Sequence, residues 1–313
     1  MDPPPPVALD RAERNVVVLL VDNGLVSAGW HDYLADLVRA VSAGSGNWLL
    51  PFALTPHFAR IPAVAHVDVV DLHTTPDGLR EQIFLNHLTH RVCRQIGGSA
   101  PVRVFISYAS RDGGDIAREV SRHLRTETDV DDFLDAHHLA GGDPFAEILD
   151  AAVAGCALLA VNTDSYSSRV WCQREFLGAK RAAMPMVVLD AITNRSARAF
   201  PYLGNVPTVR WHGDSRTVLD QLLGALLMET LTHRYFPLRV AEMCAKHGVV
   251  PPPHLLARPP ELLTLLDLPR IAGGGALVDL LYPDPPLGTE ETQLLRKIEG
   301  SLRALTPTML FSM

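Results

Sequence analysis

The chain has no cysteine framework. Its four cysteines, Cys93, Cys156, Cys172 and Cys244, are scattered and include no C-x-x-C pair. That argues against both a disulfide scaffold and a zinc site, and isolated thiols suit a reducing compartment. Long hydrophobic runs are missing as well. The longest, Ala151 to Val161, is too short to span a bilayer and is interrupted by Gly155. The opening Met-Asp-Pro-Pro-Pro-Pro has neither the basic nor the apolar region of a secretory leader. There is no excess of positive charge: the net charge is −7 with both signs interspersed, which argues against a duplex nucleic-acid binder. These absences predict a soluble cytoplasmic protein with no membrane span.

What is present fills three blocks, and 313 residues leave room for roughly two or three domains. In block 1–100, Val16 to Val21 is a continuous β-branched and Leu run, the pattern of a strand buried on both faces. A helical period over Trp30–Val41, strands near Trp48–Leu54 and Val67–Leu72, and a helix opening at Pro76 follow. Block 101–234 alternates strand and helix throughout, beginning with Val102–Tyr108 and ending with helix Thr217–Thr232. Such alternation implies a parallel sheet covered by helices. Block 235–313 is punctuated by proline clusters, with Leu-rich stretches that read as helices at Phe236–His247, Glu261–Leu268, Ala276–Leu281 and Thr289–Leu305. Strand, Trp-headed helix and strand recur in the same order at Val17–Leu54 and Ala157–Ile192. Superposing Trp30 on Trp171 puts Leu34 where Glu175 stands, so a first block related in this way lacks that carboxylate.

Several familiar chemical signatures fail. Gly273-Gly274-Gly275 is not followed by Gly-Lys-Ser/Thr, His87 and His90 lack the companion Glu of a zinc helix, and there is no G-x-S-x-G elbow. His137 and His138 read as exposed loop residues rather than metal ligands. No metal and no cofactor are therefore expected.

Four motifs in order carry a different signal. They are Val104-Phe105-Ile106-Ser107-Tyr108, the loop Phe133-Leu134-Asp135 through Gly141-Gly142-Asp143, the segment Ser167 to Glu175 with its Trp171-Cys172 pair, and Pro201 to Trp211. Together they resemble the TIR domain, and the third resembles the Ser-x-Trp-Cys-x-x-Glu segment of NAD-cleaving members, with one extra residue between Ser and Trp. The resemblance implies a flavodoxin-like parallel α/β sheet over block 101–234; the patterns of the flanking blocks read as an N-terminal α/β half-domain and a C-terminal α-helical extension. It makes Glu175 the candidate catalytic residue of an NAD+ glycohydrolase. Tyr108, Ser110, Arg111, Phe133, Asp135 and Trp171 are then expected to bind the substrate. It also implies homo-oligomers, an activating protein or ligand, and a role in bacterial antiviral defence or cell suicide. A non-enzymatic TIR scaffold and a synthase of a cyclic ADP-ribose signal remain alternatives.

The residues themselves leave choices open. Glu175 is also readable as a solvated helix carboxylate, and Trp171 as a core residue at a strand–helix junction. Cys172 reads as a small buried apolar side chain. The turn Ser107 to Gly114 leads into a helix whose N–H groups, with Arg111, suit a pyrophosphate; alternatively Asp112 or Asp115 caps that helix.

Overall fold

Parallel strands dominate the computed structural model, which describes residues 4–44, 46–96, 101–128, 130–134, 156–196, 200–212, 215–266 and 278–312. The chain divides into two units: Met1–Ala100 with Asp214–Leu227, and Pro101–Gly213 with Met228–Met313.

In the first unit, β1 (Asn15–Val21), β2 (Asn47–Ala53) and β3 (Val70–Asp71) form a parallel sheet in that order. Helix α1 (His31–Ala43) crosses over from β1 to β2 and buries Leu34, Leu37 and Val41, the helical spacing read from the sequence. Helix α2 (Asp77–Ile96) follows β3 and sets Ile83, Phe84 and Leu88 against Leu50, Phe52 and Leu72.

The second unit holds β4 (Arg103–Tyr108), α3 (Gly114–Glu127), β5 (Asp131–Leu134), β6 (Cys156–Asn162), α4 (Val170–Arg181), β7 (Met186–Asp190) and β8 (Thr208–Arg210). Its five strands are all parallel in the order β5-β4-β6-β7-β8. Every residue of β6 is buried, which explains its apolar run from Cys156 to Val161. The chain order reverses between β4 and β6, so the crevice outside their carboxyl ends is the topological switch point of the sheet.

The expected break near residue 233 is absent. Helix α5 (Ser215–His247) continues through Pro237, so the two helices read from the sequence are one. Its first turns belong to the unit of α2: Asn86 Nδ2 donates to the Asp220 carbonyl at 3.0 Å, and a Cβ on Gly224 would lie 2.5 Å from Gln82 Nε2. The glycine permits this close helix approach.

The region beyond α5 is not simply helical, contrary to the reading of block 235–313. It contains β9 (His254–Leu255), β10 (Val278–Leu281), α6 (Thr289–Ile298), β11 (Leu302–Leu305) and α7 (Pro307–Phe311), with a helical turn at 262–266. The strands form a parallel sheet in the order β11-β10-β9. Apolar runs this short do not distinguish strand from helix by period. Leu281 and Leu305 face Phe236, Val240 and Cys244 of α5, while Leu280 and Leu302 pack with Leu265 and Leu295.

Segment 258–261 is anchored on the five-stranded domain. Buried Lys180, at the end of α4, donates to the Gly204 carbonyl at 3.0 Å and to Glu261 Oε2 at 2.7 Å. Arg258 pairs with Glu229 at 2.8 Å and reaches the Met184 carbonyl. Next to this pair, burial first and the charge of Arg258 second lower the His233 pKa from 6.5 to about 4. The unfolded chain then holds the extra proton between those values, so the stability difference is fully present above pH 6.5 and is lost as pH falls toward 4. Between pH 7 and 5 the protein is expected to lose about 2 kcal/mol from this group alone. Melting temperatures at the two pH values should lie closer together in His233→Gln than in wild type; an unchanged gap would contradict this.

Candidate functional site

Glu175 lies on the inner face of α4, with Cys172, Phe176 and Ala179, and is only 2% exposed. It is not a solvated surface carboxylate. A carboxylate taken out of water is costly unless bonded. Here Ser107 Oγ, at the end of β4, donates to Glu175 Oε2 at 2.5 Å. Ser107 Oγ also lies 3.0 Å from the hydroxyl of Tyr166, in the 3-10 turn Tyr166–Ser168 that follows β6. Ser107 and Tyr166 are both fully buried. The three groups come from β4, the β6 exit and α4, and so stand at the switch point between β4 and β6.

The loops around this cluster are tied down on both sides. Asp112, in the β4 exit turn, accepts from Thr163 Oγ1 at 2.6 Å and from the Ser165 amide at 2.9 Å. It therefore joins the exits of β4 and β6 and does not cap α3. Asp115 does not cap it either: it pairs with Arg118, and the N-cap residue is Gly113. A Cβ on Gly113 would lie 3.1 Å from the Ala109 carbonyl and 3.3 Å from Tyr108 Cβ, so the tight turn favours glycine. On the other side, Asp164 accepts from Thr193 and Asn194, and the bond from the Asn194 side chain, ahead of the backbone bonds, lowers its pKa. Ser167 Oγ meets Ser196 Oγ at 2.6 Å.

The expected substrate-binding residues are placed unequally. Tyr108 is half-buried and packs over the α3 start, with Cε2 3.7 Å from a Cβ built on Gly114. Ser110 and Arg111 are exposed in the same turn. Phe133 lies on β5 in register with Phe105 of β4. Asp135 falls outside the described residues, as do His137 and His138. Trp171 is not a core residue: it is 49% exposed, and the Arg174 guanidinium stacks over its ring at 5.2 Å. Cys172 is buried, as its reading as a small apolar side chain predicts.

Ser107, Tyr166 and Asp112 were not among the sequence candidates. A serine following the apolar run Val104-Phe105-Ile106 was the available signal for the first, since a buried hydroxyl requires a partner. Among the described residues no group of His, Cys, Asp and Glu has the arrangement of a metal site, and no helix is long and apolar enough to cross a membrane. Loss of the Asp112 clamp removes two hydrogen bonds to a carboxylate, each worth about 1.5–3 kcal/mol. Asp112→Ala should lower the melting temperature more than Asp112→Asn; equal melting of both with wild type would exclude the clamp.

Comparison with known proteins agrees with this architecture. No curated protein matches the chain. Residues 104–223, from β4 into α5, match the TIR domain family. The five-stranded parallel part of this protein is a TIR domain.

Proposed function

We propose that the chain is an NAD+ glycohydrolase that cleaves the nicotinamide–ribose bond, with Glu175 as its catalytic residue. The observation that supports this most is the buried Glu175 carboxylate, bonded to Ser107 at the sheet's switch point. Nicotinamide departs as a neutral molecule, so no general acid has to protonate it. As the bond lengthens, positive charge builds on the ribose, as in other glycosyl transfers. One carboxylate fixed beside that ribose stabilises the charge and bonds the sugar hydroxyls. Preorganised groups of this kind are worth about 3–4 kcal/mol, so a single glutamate suffices.

In this reading Tyr108, Ser110 and Arg111 border the nucleotide, the amides at the α3 start and Arg111 receive the pyrophosphate, and Phe133 and Asp135 complete the set of substrate-binding residues. Trp171, exposed beside the catalytic helix turn, would wall the nicotinamide end. The products are nicotinamide and ADP-ribose, or its cyclised form if the adenine rather than water attacks the ribosyl cation. We place the activity in the cytoplasm, in keeping with four buried cysteines that form no disulfide framework. The role is then depletion of NAD+ in bacterial defence or cell suicide, triggered by self-association and an activating partner or ligand.

The first unit supports a subsidiary inference. β1, a 3-10 turn, α1, β2, 3-10 turns, β3 and α2 follow the order of β6, a 3-10 turn, α4, β7, a 3-10 turn, β8 and α5. Both strand trios are parallel and adjacent in chain order. We read this unit as a TIR-like half-repeat that has Leu34, 1% exposed, in the place of the carboxylate; its role is structural or regulatory.

A second reading, a TIR scaffold without catalysis, draws on Val170 and Trp171, which are 57% and 49% exposed. The test is to incubate purified protein with NAD+ and separate the products by chromatography. Wild type should release nicotinamide, and Glu175→Ala should reduce the rate about 100- to 1000-fold. Release that persists unchanged in the mutant refutes the site, and no release from self-associated wild type favours the scaffold.

A further inference from the structure

We infer that Ser107 and Tyr166 are positioning residues for Glu175: a two-hydroxyl chain runs from the Tyr166 ring to Glu175 Oε2 and fixes the carboxylate, ionised, toward the ribose of the bound nucleotide. This rests on the glycohydrolase reading above. The direction of the chain follows from proton counting. An ionised carboxylate only accepts, so at 2.5 Å the single Ser107 hydroxyl proton goes to Glu175 Oε2. Ser107 Oγ is then an acceptor toward Tyr166, and the phenol 3.0 Å away supplies its proton. The order Tyr166 to Ser107 to Glu175 uses each proton once.

Burial gives the chain its strength. All three side chains are 2% exposed or less, so the bonds operate in low dielectric, where successive donors polarise one another. A hydrogen bond donated to the charged form of a carboxylate favours that form, and the charged form is the one that stabilises a ribosyl cation. Geometry adds a second argument. Ser107 is held in β4 between β5 and β6, and Tyr166 sits in the loop that Asp112 and Ser196 anchor. The carboxylate is thus oriented by the sheet and its exit loops, and not by its own helix alone.

A merely structural role would use the same bonds to satisfy a buried acid, so the test must read more than folding. Full-length wild type, Ser107→Ala, Ser107→Thr, Tyr166→Phe and Glu175→Gln are assayed for steady-state nicotinamide release from NAD+ across pH, with each rate normalised to the folded fraction. Ser107→Ala is expected to lower kcat about 10- to 100-fold with KM changed less than about threefold, because the orientation serves the transition state. The acid limb of its kcat/KM profile should move to higher pH. Tyr166→Phe, which keeps the ring, should show a smaller loss and a smaller move in the same direction. Ser107→Thr, which keeps the hydroxyl, should recover most of kcat. If Ser107→Ala retains wild-type kcat and pH profile while Glu175→Gln is inactive, the positioning role is overturned and the glycohydrolase reading stands. If Ser107→Ala does not fold, Tyr166→Phe decides: an unchanged kcat and pH profile overturns the role. If wild type releases no nicotinamide, the glycohydrolase reading falls and this inference with it.

Discussion

The hydrogen bond from Ser107 to Glu175 is the constraint around which the TIR domain of this protein is arranged. An isolated ionised carboxylate is among the least tolerated groups in a protein interior. Removing Glu175 from water therefore requires a donor held in a fixed place. The donor comes from the carboxyl end of β4, at the point where the strand order of the sheet reverses. That position follows from the fold, and the serine after the apolar run Val104-Phe105-Ile106 turns it into a polar seat. Asp112 then couples the β4 exit to the β6 exit, which brings Tyr166 beneath the same serine.

The helix carrying Glu175 is held along its whole length. Cys172, Phe176 and Ala179 set its inner face into the core beside β6 and β7. At its last turn Lys180 is buried and bonded to the Gly204 carbonyl and Glu261. Desolvation, the largest influence, lowers the Lys180 pKa, and Glu261 opposes it. A buried ammonium of this kind is sustained only by its partners. Segment 258–261, which follows β9 and precedes β10, is thus a direct neighbour of the helix that bears the carboxylate. Movement of that segment would act on the α4 end opposite Trp171.

Much of this was readable in the sequence, for identifiable reasons. The β6 run declared itself because a strand buried on both faces is almost entirely apolar, with Asn162 only at its last position, and α1 because Leu34, Leu37 and Val41 repeat at the helical period. The TIR domain was recognisable from four motifs in order, and the family match at residues 104–223 agrees. The C-terminal sheet was not readable. Val278–Leu281 and Leu302–Leu305 are too short to show alternation, and their leucines face helices on both sides. Nor was the continuity of α5 through Pro237, because proline normally ends a helix and tertiary packing overrode that preference. At the site, the sequence singled out Glu175 but gave neither its burial nor its donor. Pairing of Ser107 with a residue 68 positions away is a tertiary fact. Trp171 was open between pocket wall and core, and its exposure removes the core reading.

The account stands or falls on the chemistry of one side chain. The most direct measurement follows nicotinamide by proton NMR as NAD+ is mixed with wild type and with Glu175→Gln, an isosteric change, after matched melting curves. The account predicts a growing nicotinamide signal with wild type and a rate lower by at least about 100-fold in the variant. Equal rates from the two folded proteins would contradict it.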